Sequence, residues 1–273
     1  LHLDPYLWKL HLGPDRLLIR LRDEGYPIIG VTISAGVPPV DEAAALLREL
    51  NAHGMRINSF KPGNDAQVRE VLAIADACPD LPVIVQIEGG NSGGHHSWED
   101  LDDLLARHYD ALRERENIVL ATGGGLADPA RACAYLTGAW SAAHGLPPMP
   151  VDAIFTGTRC MAALEAKTSP AVKRALAAAT GTDTWVTDGG SGGGVVSGRS
   201  QLDAPIHYMD NAAARAGMLL DGLAGDPEAI AASRDELIAA LAKTAKPFFG
   251  DVAGMSCLAL LARLAALTAI GSG

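Results

Sequence analysis

The sequence has few cysteines, no long apolar run and no excess of basic residues. Its four cysteines lie far apart and form no CxxC pair, which argues against a zinc site or a disulfide framework and favours a reducing, cytoplasmic location. Acidic residues outnumber basic ones by 32 to 22, so bulk charge does not favour nucleic-acid binding. No uninterrupted apolar run reaches membrane-spanning length. We therefore expect a protein that binds neither nucleic acid nor membrane.

Short apolar segments alternate with amphipathic helical patterns in the first 160 residues. The chain has 273 residues, of which 48% are hydrophobic, and this is enough for a sizeable core. β-Branched residues dominate the apolar segments, as expected of strands buried on both faces. Five strands are predicted at residues 27–34, 55–60, 82–87, 117–122 and 152–156.

Most of the intervening helical patterns begin with a capping residue. Strand–helix–strand repetition predicts a parallel α/β sheet, either a TIM-type (β/α)8 barrel or a doubly wound sheet. Only about five strands, the later ones of a barrel, can be counted. Caps are predicted at Asp41, Asn64, the stretch Ser97-Trp98-Glu99-Asp100, Asp128 and Ser169.

The pattern changes after about residue 160, where no further strand is predicted. A glycine-rich segment at 189–194 is typical of a flexible loop, and helices are predicted at 228–243 and 251–269. We therefore divide the chain into a partial barrel at 1–166 and a glycine-rich loop with a helical cap or extension at 167–273.

Glycine-containing loops follow the predicted strands, and parallel α/β folds bind ligands at the carboxyl ends of strands. Gly123, Gly124 and Gly125 follow the fourth strand, and Gly157 and Thr158 follow the fifth. Backbone N–H groups of such glycines can approach phosphate oxygens. The loops therefore predict a phosphate site, although tight turns alone would also select glycine.

The loop after the third strand, EGGNSGGHHS at residues 88–97, is rich in glycine and contains adjacent histidines. His95 and His96 should point to opposite sides of an extended backbone, so that one can face a cavity and donate a proton or a hydrogen bond. They cannot easily bind one ion together, so we predict no metal site. Lys61 follows the second strand, where it either pairs with an anionic ligand or is solvated. Cys160 is predicted to be a buried thiol rather than a nucleophile.

Several motifs resemble the FMN-dependent enoyl reductase domain of fungal and actinobacterial type I fatty acid synthases. In chain order they are SFKPGN, IEGGNSGGHHSWEDLDDLL, ATGGG, LTGAW…GLPPMPVDAIFTGTR and EAKTSPAVKRAL, which is the order found in that family. DPYLWKL and LIAALAKTAKPFFGDV resemble the actinobacterial branch in particular. The resemblance covers nearly the whole chain.

The resemblance implies a TIM-type barrel that holds FMN and a ping-pong reaction. NADPH or NADH would reduce FMN, and the hydride would then pass to a trans-2-enoyl thioester on acyl carrier protein. The resemblance also implies a large homo-oligomer, with other domains of the same synthase as partners. Transferred residue by residue, it makes His95 the catalytic residue. The residues that it assigns to FMN are Lys61, Gly93, Gly94, Gly123, Gly124, Gly125, Gly157 and Thr158.

The sequence departs from the family in two respects. Asn91 stands where Arg or Gly is more common, which puts nicotinamide preference or loop contacts in question. The predicted strands correspond to the fourth to eighth of the barrel, and five strands cannot close an eight-stranded barrel. We therefore expect this chain to be part of a longer polypeptide or to be completed by a partner segment. Two alternatives are a stand-alone flavin barrel of the nitronate monooxygenase type and a non-catalytic structural remnant in a megasynthase.

Overall fold

The computed structural model describes residues 5–181, 190–199, 205–242, 254–256 and 258–259. A short 3-10 helix spans Ala139–His144. The strands are β1 (Thr32–Ser34), β2 (Ser59–Lys61), β3 (Val83–Glu88), β4 (Gly94–His95), β5 (Ile118–Gly123), β6 (Ala153–Phe155), β7 (Ser191–Gly192), β8 (Val195–Arg199) and β9 (Pro205–Met209). The helices are α1 (Pro5–His11), α2 (Leu17–Asp23), α3 (Val40–Ala52), α4 (Asp65–Ala77), α5 (Leu101–Arg113), α6 (Pro129–Thr137), α7 (Thr158–Ala162), α8 (Pro170–Ala178), α9 (Ala212–Leu223), α10 (Pro227–Ala232) and α11 (Arg234–Ala242).

A parallel sheet of five strands forms the centre of the molecule, in the order β1-β2-β3-β5-β6. These are the five predicted strands, and neighbours in the sheet follow one another along the chain, with α3, α4, α5 and α6 in the connections. This is the strand order of a TIM-type barrel. In the part of the chain that is described, the sheet does not close, and β1 and β6 are its unpaired edge strands. The predicted α/β class and partial barrel are confirmed.

The core lies between this sheet and the helices that connect its strands. The apolar faces of α3 and α4 contribute Leu50 and Ile74, and α5 contributes Leu105. From the sheet, Phe60 and Leu120 are fully buried against them. Burial of these side chains fixes the strands, and the strands in turn fix the loops at their carboxyl ends.

Most of the predicted helix caps are present. The side chains of Asn64, Asp128 and Ser169 accept hydrogen bonds from backbone N–H groups three residues later, at 3.0, 3.0 and 3.3 Å. Two predictions were wrong by a few residues. Asp41 lies inside the first turn of α3, and Asp100, the last residue of the predicted start, caps α5.

The prediction that no strand follows residue 160 is wrong. Strands β7, β8 and β9 form an antiparallel sheet with β4, in the order β4-β9-β8-β7. Gly193 and Gly194, with φ of +57° and +86°, form the two-residue turn between β7 and β8. Positive φ at both turn positions is what a tight hairpin requires, so the glycines that predicted a flexible loop instead serve a hairpin.

The helical part of the C-terminal segment also differs from prediction. The helix predicted at 228–243 is divided into α10 and α11 at Ser233, which ends α10 as its C-cap. The helix predicted at 251–269 lies almost entirely outside the described residues. Within the ranges given above, no helix has both the length and the apolar character needed to cross a membrane.

Candidate active site

The carboxyl ends of β2, β3, β5 and β6 lie side by side at one edge of the parallel sheet. Lys61 and Glu88 are the last residues of β2 and β3, and Glu88 is in register with Gly123 at the end of β5. Gly123 is in turn in register with Phe155 at the end of β6. The loops that the sequence indicated as ligand-binding therefore start from one row of residues.

A partly buried ion pair, between Lys61 and the buried Glu88, joins two of these strand ends. The Lys61 ammonium contacts the Glu88 carboxylate and donates a hydrogen bond to the backbone oxygen of His95 at 3.1 Å. Burial raises the pKa of Glu88, and Lys61 opposes this shift. Lys61, which is partly exposed, thus pairs with a carboxylate of the protein itself, which neither expectation from the sequence included. Glu88 was not among the predicted site residues, although an acidic residue at the end of a buried strand was a signal for it.

The two histidines of the loop have different surroundings, as their adjacency predicted. His95 lies on β4 and is partly exposed, whereas His96 is buried. The Nδ1–H of His96 donates to the backbone oxygen of Ser97 at 2.7 Å, and its Nε2 is buried without a hydrogen-bond partner among the described residues. Burial lowers the pKa of His96, so this ring is neutral near pH 7.

A third histidine comes to the loop from the C-terminal segment. The ring of His207, on β9, stacks on His96 with ring centroids 3.7 Å apart. His207 is buried, and its Nδ1–H donates to the backbone oxygen of Ser92 at 2.8 Å. His207 was not among the predicted site residues, because no strand, and therefore no buried face, was predicted in this segment.

The glycines assigned to the cofactor divide into two groups. A Cβ at Gly123 would collide with the ring of Phe155, and a Cβ at Gly124 would collide with the hydroxyl of Ser92, so packing alone requires both glycines. In contrast, a Cβ added to Gly94 or Gly157 would have no atom of the described residues within 4 Å, apart from those of its chain neighbours. These two leave open space beside the backbone, where a ligand can lie.

The loops after β3 and β6 approach each other at this open space. A Cβ added to Gly93 would lie 3.6 Å from Oγ1 of Thr158, so these two predicted residues are neighbours. Gly125, also predicted, has φ of +68° and is exposed beside Arg131. All the residues assigned to FMN therefore lie at the carboxyl ends of strands of the parallel sheet or in the segments that follow them.

We expect Gly124→Ala to lower the free energy of unfolding by about 1–3 kcal/mol, because φ at Gly124 is +96° and the new Cβ meets Ser92. Gly157→Ala is the matched control, since its φ is negative and its added Cβ enters open space. Its stability should stay within about 0.5 kcal/mol of wild type. Thermal or urea unfolding measures both, and equal losses in the two variants would contradict this division of the glycines.

Two other expectations concern cysteine and metal. Cys160 is exposed on α7, with its Sγ 3.3 Å from Oγ1 of Thr156, so the prediction of a buried thiol is wrong. The short α7 lies at the surface and buries none of its residues. Over the described ranges, no group of three or more His, Cys, Asp or Glu side chains is arranged to hold a metal ion.

The geometry defines an α/β protein with a partial barrel and a glycine-rich site at the carboxyl edge of its sheet. A family model described as fatty acid synthase subunit beta/Fas1-like, helical, matches residues 82–272. The chain belongs to this family. It is 40% identical to fatty acid synthase beta subunit pigK of Monascus ruber, over 93% of this chain and 13% of that protein. It is 44% identical to fatty acid synthase subunit beta of Schizosaccharomyces pombe, over 75% of this chain and 10% of that protein.

The chain therefore spans only about an eighth of the length of the curated relatives that it matches. Fatty acid synthase subunit beta of Saccharomyces cerevisiae gives a similar result, with 37% identity over 88% of this chain and 12% of that protein. Among solved structures, FabK from Thermotoga maritima has a TM-score of 0.55 at 19% identity, over 89% of this chain and 61% of that chain. At this level of identity, the likeness concerns the fold alone.

Proposed function

We propose that this chain supplies part of an FMN-dependent enoyl reductase within a type I fatty acid synthase. The reaction would reduce a trans-2-enoyl thioester on acyl carrier protein with NADPH or NADH. One observation supports the proposal above the others: the GGNSGGHHS loop, the Lys61–Glu88 pair and the two glycine loops meet at one edge of the sheet. Membership of the fatty acid synthase beta family supports the same assignment.

The residues at this edge fit a ligand that carries both a flat ring and a phosphate. Gly93 and Gly94 would lie against the ring, and the open space beside Gly94 leaves room for it. The phosphate would lie by Gly123–Gly125, Gly157 and Thr158, where the open backbone of Gly157 can present its N–H. When bound, FMN would supply hydride transfer between the nicotinamide and the enoyl thioester.

His95 is proposed to act on the substrate. An imidazole can donate a proton or a hydrogen bond at neutral pH, and either would stabilise the negative charge that forms on a thioester oxygen during reduction. The backbone of His95 is held from two sides, by Lys61 at its carbonyl oxygen and by the pairing of β4 with β9. The ring is thus attached to a fixed backbone, which proton transfer to a defined atom requires.

The proposed function also predicts the partners of this chain. The named relatives are subunits of fatty acid synthases, so other segments of such a synthase, including the remaining barrel strands, are the expected partners. The two open edges of the parallel sheet are where those strands would pair. The carrier-protein substrate, the large homo-oligomer and the cytoplasmic location remain predictions.

The flavin content and substrate of the full-length protein test the proposal. We expect one FMN for each site and oxidation of NADPH or NADH that depends on a trans-2-enoyl thioester. Oxidation of nitronates without enoyl reduction would favour the nitronate monooxygenase alternative. Absence of any flavin in protein shown to be folded would favour the structural remnant.

A further inference from the structure

The antiparallel sheet ties the C-terminal segment to the glycine-rich loop. Strand β9 pairs with β4, so that Gly94 is in register with His207 and His95 with Ile206. More than 100 residues separate these partners in the sequence. The loop has four glycines in six positions, and glycine backbones lose the most conformational freedom on ordering. Such a loop needs contacts from outside itself to adopt one conformation.

The side chain of His207 supplies two such contacts. Its Nδ1–H donates to the backbone oxygen of Ser92, which lies just before Gly93. Its ring stacks on His96, which follows His95, at 3.7 Å between centroids and 18° between planes. One buried side chain thus contacts the loop on both sides of the Gly93–His95 stretch that the proposed function places beside the cofactor and the substrate.

His96 in turn contacts the residues that lie just before α5. Its Nδ1–H donates to the backbone oxygen of Ser97, and its ring lies at 79° to the ring of Trp98, with centroids 4.8 Å apart. The Ser97 hydroxyl accepts a hydrogen bond from the backbone N–H of Glu99 at 3.0 Å. Because His96 and His207 are both buried, their stacked rings have fixed orientations relative to the backbone.

We propose that His207 is a positioning residue of the reductase site, which fixes the loop from Ser92 to His96 so that His95 faces the substrate. The inference rests on the proposed function. It makes β7–β9 an integral part of the site rather than a cap beside it. The two contacts of His207 are separable, because a backbone carbonyl requires only a donor and a stacked imidazole requires only a ring.

Three variants of the full-length protein separate these contacts. His207→Phe keeps a ring against His96 and removes the donor, His207→Asn keeps a side-chain N–H and removes the ring, and His207→Ala removes both. Tyr208→Asn is the matched control, because Tyr208 lies next to His207 on β9 and its side chain points to the opposite face.

We expect kcat for enoyl reduction, per bound FMN, to fall about a hundredfold in His207→Ala, the loss that a displacement of about 1 Å can cause. KM should change little, because His207 contacts the loop rather than the proposed substrate. His207→Asn should recover more of kcat than His207→Phe, since the donor fixes the backbone directly. Unchanged kcat per bound FMN in all three variants would overturn the proposal, provided that wild-type protein holds FMN. A wild-type protein without FMN would instead overturn the proposed function.

Native-state amide exchange distinguishes positioning from general destabilisation and remains informative if activity is low. In His207→Phe, amides of residues 92–97 should exchange faster while those of β3 and β5 keep the wild-type rate. An equal acceleration in the loop and in the parallel sheet would contradict the proposal. Tyr208→Asn should leave both sets of amides and kcat at wild-type values, and a matching loss there would also contradict it.

Discussion

Replacement of Lys61 by methionine is expected to lower the free energy of unfolding by about 3–5 kcal/mol near pH 7, because it leaves the Glu88 carboxylate buried without its counter-ion. The substitution also removes the hydrogen bond that holds the backbone oxygen of His95. Urea unfolding of the variant and wild-type proteins measures the difference. A loss of less than about 1 kcal/mol, the size typical of surface pairs, would contradict the prediction.

The pH dependence of this loss has a definite sign. Burial already raises the pKa of Glu88 above 4.5, and removal of Lys61 raises it further. Between the ordinary pKa and the raised one, the folded protein binds more protons than the unfolded chain, so stability falls as the pH rises. The difference between Lys61→Met and wild type should therefore be small at about pH 4 and increase towards neutral pH. A difference that shrinks as the pH rises would exclude Glu88 as the cause.

The double variant Lys61→Met/Glu88→Gln is the control. It removes both charges, so most of the stability lost in Lys61→Met should return. It also separates two roles of Lys61, as a counter-ion for Glu88 and as a contact of the cofactor. If the folded double variant binds FMN as tightly as wild type, Lys61 serves Glu88 and His95 only. If it binds FMN more weakly, Lys61 contributes to FMN binding, either directly or through the backbone of His95.

The parallel sheet and the common position of the loops that follow its strands could be predicted because local signals determine both. Most of the strands are short apolar segments with β-branched residues, and α4 and α6 begin at the predicted caps Asn64 and Asp128. Once the strands are parallel, the loops after them must share an edge. No information about distant pairing is needed for that inference.

The antiparallel sheet could not be predicted because it depends on a long-range pairing. Strand β4 has only two residues and no apolar pattern, and it exists because β9 pairs with it. His207 alternates with exposed Tyr208 on β9, and this alternation was the available signal. The Lys61–Glu88 pair is a similar case, because residues 27 apart in the sequence meet only when β2 and β3 align.

Glycine-rich sequences gave the most ambiguous signals, since packing and ligand binding select the same residue. Gly123 and Gly124 are required by Phe155 and Ser92, whereas Gly157 is not required by any described neighbour within 4 Å. The resemblance to the reductase family predicts that all three glycines lie by the phosphate of FMN. Only the geometry separates glycines that make the loop possible from those that leave space for a ligand.

His95→Ala should lower the rate of enoyl thioester reduction by about 10²–10⁴, the contribution of a general acid, in protein that still binds FMN. The fold should survive, because Lys61 and β9 hold only the backbone of His95. The two half-reactions separate the effect. NADPH or NADH should reduce the bound flavin at the wild-type rate, and only reoxidation by the enoyl thioester should slow.

His95→Gln then distinguishes proton donation from hydrogen bonding. Glutamine keeps an N–H donor but cannot transfer a proton at neutral pH, so recovery of most of the rate would assign a hydrogen-bonding role. A rate as low as that of His95→Ala would assign proton transfer. His53→Ala is the matched control, since the His53 ring is paired with Asp23 outside the candidate site at 2.8 Å. If His95→Ala reoxidises as fast as this control, His95 is not the catalytic residue.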